Sequence, residues 1–138
     1  MLTANMSAAQ VADFIPPPNS SLISILNPNG FIPKYPSEYA GILAVCFHDI
    51  NEPQEGFTEI SDADAETIAR FINIVKKSNN NLYVHCSAGI CRSGAIVEVL
   101  LKLGWEIDKN CPSNERRPNM LVYNKVRKAC GLLHSWEQ

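Results

Sequence analysis

The apolar positions of this chain fall into short blocks separated by proline, glycine and asparagine. Ala8 to Ile15 reads as a short helix that ends at Pro16, Pro17 and Pro18, because proline lacks an N–H and clashes with the preceding turn. Ser21 to Leu26 reads as a strand, and Asn27 to Pro36, rich in Pro, Asn and Gly, as a surface loop that either borders a groove or joins strands. Gly41 to Phe47 is almost wholly apolar over seven residues, the pattern of a strand covered on both faces in a parallel sheet. A polar loop with Pro53 and Gly56 spans His48 to Ser61.

Ser61 and Asp64 form a capping-box pattern, and Ile68, Phe71, Ile72 and Val75 share one face of the helix that follows. Lys76 and Lys77 suit its C-terminal end. Asn79 and Asn80 turn the chain into a second buried strand, Leu82 to His85. From about Ser93 to Leu103 the chain is apolar on most helical faces, which predicts a central buried helix stopped by Gly104. Trp105 to Pro118 reads as irregular, and Asn119 as the cap of a last helix with Val122, Val126 and Ala129 inward. The order strand, helix, strand, loop, helix predicts an α/β fold. Residues 1–138 would form a single domain with a mainly parallel central sheet, right-handed crossovers and flanking helices.

Composition narrows the class. With 46% hydrophobic and 19% charged residues in 138, the chain is outside the disordered and low-complexity range. Twelve basic and fourteen acidic residues leave a net charge of −2, so no basic footprint for nucleic acid or an anionic membrane is expected. No apolar run approaches the roughly 18 residues of a spanning helix. Met1 to Gln10 carries no signal-peptide pattern, and five cysteines, an odd number, are expected to be reduced thiols. The expectation is a cytoplasmic protein.

One segment carries chemistry: His85-Cys86-Ser87-Ala88-Gly89-Ile90-Cys91-Arg92-Ser93. It joins a buried strand to a helix and contains no proline, so every backbone N–H is free to turn toward one point. The helix N-terminus adds its dipole there, which makes the loop an anion cradle. Gly89 permits a tightly curved or left-handed backbone. Arg92 supplies a planar fork of donors able to hold two phosphate oxygens. N–H dipoles, helix and guanidinium together favour the thiolate of Cys86, a nucleophile aimed at phosphorus. An isolated buried cysteine is ordinarily a small hydrophobe; here the strand end, His, Cys, Arg, Ser and helix start coincide. A zinc site built from His85, Cys86 and Cys91 lacks a second ligand pair of suitable spacing, so no metal and no other cofactor is expected.

His85-Cys86-x5-Arg92-Ser93 resembles the signature of the cysteine-based protein tyrosine phosphatases. The element order from Leu22 to Cys130 resembles their compact dual-specificity branch, including small bacterial and phage-type members. The resemblance implies a two-step reaction in which Cys86 attacks phosphorus to form a phosphocysteine. Arg92 and the N–H groups of Ser87, Ala88, Gly89, Ile90 and Cys91 would bind the equatorial oxygens. It further implies that Ser93 donates to the sulfur and helps it leave, and that His85 orients the loop and holds the thiolate from behind. The family takes its general acid from an aspartate upstream; here Asp49 follows the strand ending at Phe47. If that strand runs parallel to Leu82–His85, Asp49 faces Cys86 across the sheet edge. Asp49 lies 37 positions before Cys86, a longer spacing than in the compact members, with the surplus in Asn51 to Glu59. Glu52 and Glu55 are rivals on the same loop, whereas Asp62 and Asp64 suit a helix start.

Arg117-Pro118-Asn119 resembles a segment found after the signature helix in this branch, with Asn119 fixing it against the loop. The pair Cys86-x4-Cys91 also resembles the loop of low-molecular-weight tyrosine phosphatases, but there the loop lies near the N-terminus, before the acid. Cys91, or Cys46 in the strand thought to neighbour it, is a candidate thiol to trap oxidised Cys86 as a disulfide; a small apolar filler is the alternative. Cys111 and Cys130 carry no signal. The loop holds no lysine of the kind found in members acting on inositol polyphosphates. The expected substrate is therefore a phosphorylated protein or peptide, through phosphotyrosine and also phosphoserine or phosphothreonine. A phospho-residue binding module without turnover, and sulfur or arsenate chemistry on a similar loop, are the alternatives.

Overall fold

The computed structural model describes residues 1–30, 32–35, 38–111 and 115–137. Five strands, all parallel, form one sheet: β1 (Leu2–Met6), β2 (Ser20–Leu26), β3 (Ile42–Cys46), β4 (Asn81–His85) and β5 (Glu106–Ile107), in the order β3-β2-β4-β1-β5. Four α-helices connect or flank them: α1 (Ala8–Asp13), α2 (Asp62–Lys77), α3 (Arg92–Lys102) and α4 (Met120–Ala129). The α/β class and the parallel sheet are as the pattern predicts. No described helix is long and apolar enough to cross a membrane.

The strands alternate side chains between two cores, as a period of two requires. One face carries Ile23, Ile25, Leu82, Val84 and Cys86 against α2, α3 and α4. The other carries Ala4, Met6, Leu22 and Tyr83 against Val11 and Phe14, with Tyr35 and Tyr39 beside them. α3 is buried along Arg92 to Val97 and again at Val99 and Leu100, which makes it the central helix, and Gly104 ends it at φ +111. α2 opens on the Ser61–Asp64 capping box.

Several expectations are corrected. The run Gly41 to Phe47 is strand only over Ile42–Cys46 and lies at the sheet edge, with Ile42 43% exposed and Ala44 and Cys46 exposed as well. The strand buried throughout is β2, despite Ser20, Ser21 and Ser24, because it lies between β3 and β4. α1 stops at Asp13 because Phe14 turns to extended backbone (ψ 127) and lays its ring 4.9 Å from Tyr83. Leu2–Met6 is a strand the pattern does not announce, and the stretch read as irregular contains β5, whose Ile107 pairs with Thr3 of β1. Of that stretch, residues 112–114 lie outside the described residues, as do Phe31 and Pro36 of the Asn27 to Pro36 loop. In α4, Val122 and Val126 point inward but Ala129 is exposed.

Candidate functional site

Parallel strands bring the loops after β2, β3 and β4 to one edge of the sheet. Register aligns His85 with Ser24 and Ser24 with Ala44. Alternation sends the His85 side chain to the α1 face and that of Cys86 to the α3 face. Cys86 is 2% exposed, at the point where the chain leaves β4.

The chain then closes around the sulfur. The Gly89 N–H donates to Cys86 Sγ at 3.2 Å, and the Ser93 hydroxyl lies 3.2 Å from the same atom. The middle and the end of the loop are thus both in contact with its first side chain. The loop carbonyls are drawn outward by flanking segments. Cys86 O receives His85 Nδ1 (3.3 Å), Ser87 O the Ala8 N–H (3.1 Å) and Gly89 O the Asn5 amide (2.7 Å). Ile90 O receives the Arg117 N–H (3.2 Å), and Cys91 O the Asn119 N–H (3.0 Å). In a planar trans peptide the N–H points opposite to its carbonyl. The five carbonyls held outward therefore turn the N–H groups of Ser87, Ala88, Ile90, Cys91 and Arg92 the other way. None of these five has a protein acceptor among the described residues. The result is a nest of N–H groups at the start of α3, a geometry suited to an anion.

Gly89 is the residue this geometry requires. Its φ is +77, and a Cβ there would lie 2.3 Å from Met6 C and Ser7 N, both backbone atoms. Gly89→Ala is expected to lower stability by about 1–3 kcal/mol through strain and overpacking, read as a lower midpoint in urea unfolding. A midpoint unchanged from wild type would contradict the packing described.

Arg92 is 4% exposed, and its Nη1 donates to Phe47 O at 2.6 Å, so the guanidinium is locked to the chain emerging from β3. Its Nε is buried with no partner among the described residues. The edge formed by Nε and Nη2 is left to meet a planar pair of oxygens, the bidentate use for which arginine is suited.

Asp49 is brought to the same place. Asn119, the cap of α4 through Val122 N (3.0 Å), gives its amide to Asp49 Oδ1 at 2.7 Å and to Ile50 O at 3.0 Å. Burial, then the neighbouring Asp49 carboxylate, push the Cys91 thiol above its ordinary range. Asn119 thus does more than cap a helix: through its backbone and side chain it joins the loop, α4 and the Asp49 segment. Glu52 and Glu55 are exposed, Asp64 is held in the α2 capping box, and Asp62 pairs with Lys125 at 3.3 Å.

His85 acts on backbone, not on sulfur. A carbonyl can only accept, so Nδ1 carries the hydrogen shared with Cys86 O. Burial first, and Arg92 second, lower the His85 pKa, which favours the neutral ring. Nε2 then accepts from Ser24 Oγ at 2.6 Å, and Ser24 accepts from the Tyr35 hydroxyl at 2.6 Å. Cys46 is not on the strand next to β4: β2 intervenes, placing it about 10 Å across the sheet, beyond disulfide reach without movement of the backbone.

Sequence reasoning missed Asn5, which is fully buried and donates to both Gly89 O and Glu115 O, at 2.7 and 2.8 Å. It also missed Ser24 and Tyr35. A polar residue in an unannounced strand gives no local signal; its role exists only once β1 lies beside β4. Compared with known proteins, the chain matches no protein-family model and no curated protein.

Proposed function

We propose that the chain is a cysteine-dependent phosphoprotein phosphatase acting on phosphotyrosine, with phosphoserine and phosphothreonine as further substrates. The reading rests on one observation above all: a closed loop whose N–H groups are turned to the side of Cys86 Sγ, with the Arg92 guanidinium at its end. Its resemblance to the signature of the cysteine-based tyrosine phosphatases supports the same reading.

The substrate's phosphate enters the nest, where loop N–H groups and the Nε–Nη2 edge of Arg92 bind its non-bridging oxygens. Cys86, as thiolate, attacks phosphorus; the S–P bond forms as the bond to the ester oxygen breaks. That oxygen leaves with a proton from Asp49. Water then attacks phosphorus, giving a proton to the Asp49 carboxylate, and the S–P bond breaks to release inorganic phosphate and regenerate the thiolate. The Ser93 hydroxyl, beside Sγ, donates to the sulfur as it regains charge. The fixed donors act where charge develops and need no reorganisation.

The test is phosphate release from an aryl phosphate and from a phosphotyrosine peptide, by wild type and by Cys86→Ser. Release by wild type alone is the expected result; release by neither, or by both, contradicts the reading.

A further inference from the structure

A cleft of about 460 Å³ opens beside Cys86. Ala8 and Ala12 of α1, Ile25 and Leu26 of β2, and Pro33 and Lys34 of the loop after β2 line it. That loop is tied to the loop after β4, since the Asn27 amide donates to Ser87 Oγ at 2.9 Å. The loop after β2 therefore borders a groove rather than merely joining strands.

Two features of the cleft select an occupant. Its lining is largely apolar, which suits an aromatic ring beside the nest. Lys34 is the one charged side chain among its described lining residues. On a chain of net charge −2, this cation is a local feature rather than part of a general basic field.

We propose that the cleft is the specificity site for phosphotyrosine carried in an acidic segment, with Lys34 pairing a carboxylate next to the phosphorylated residue. The inference rests on the phosphatase reading and narrows it. Exposed charge pairs contribute little, so the expected preference is roughly 1.4- to 5-fold in Kd.

The experiment uses Cys86→Ser protein, which holds substrate without turning it over, and two phosphotyrosine peptides that differ only in Asp/Glu against Asn/Gln flanks. The acidic peptide is expected to bind more tightly, with a gap that narrows at high salt. Lys34→Ala should close that gap and Lys34→Arg restore it. A gap that survives Lys34→Ala, or no gap in Cys86→Ser protein bearing Lys34, overturns the role of Lys34 while leaving the phosphatase reading intact. If neither peptide binds better than its unphosphorylated form, the phosphate-binding reading itself falls, and this inference with it.

Discussion

Cys86→Ser is expected to lower turnover of an aryl phosphate by at least about 10⁴-fold, the scale on which loss of a covalent nucleophile acts. Serine is close to cysteine in shape, and nothing else in the nest depends on sulfur chemistry. The carbonyls of the loop remain drawn outward by Asn5, Ala8, Arg117 and Asn119, and Arg92 remains locked to Phe47 O. A hydroxyl without an adjacent base stays protonated and is a poor nucleophile. Binding and turnover should therefore separate: calorimetry should find inorganic phosphate bound within a few-fold of wild type while phosphate release disappears. A serine variant that keeps turnover within ten-fold of wild type would remove Cys86 from the chemistry.

Asp49→Asn should cost about 10² to 10⁴ in kcat on a phosphotyrosine peptide, the usual contribution of a positioned general acid. The amide preserves shape and can still accept from Asn119 Nδ2, so the loss reports the proton and not the fold. The cost should shrink for an aryl phosphate whose phenol is strongly acidic, since such a group leaves without a proton. A uniform loss across leaving groups would mark Asp49 as structural. Activity equal to wild type on the peptide would move the acid elsewhere, with Glu52 and Glu55 of the same loop the next to examine.

Much of this architecture is legible in the residues. The loop from Cys86 to Arg92 is announced by what lies on either side of it, an apolar strand and an apolar helix, and by its own want of proline. The α2 cap is a local pattern that needs no tertiary information. What stays hidden depends on neighbours in space. An apolar run such as Ile42 to Cys46 reads the same at an edge as in the middle, and only strand order shows that β2, with its three serines, holds the interior place. Ser24 is tolerated there because His85 and Tyr35 satisfy it, a chain spanning 61 positions in sequence. Asn5 is hidden for the same reason. The grouping of Cys86, Arg92 and Asp49 was legible, but not the groups that turn the loop's N–H bonds inward.

The most direct test of the central claim is to incubate the protein with an aryl phosphate, quench the mixture and identify any modified residue by mass spectrometry. Phosphate should be found as a thioester-like S–P linkage on the peptide containing Cys86, should accumulate when Ser93 is replaced by alanine, and should be absent from Cys86→Ser. Turnover with phosphate never attached to Cys86, or attached to another residue, would contradict the account.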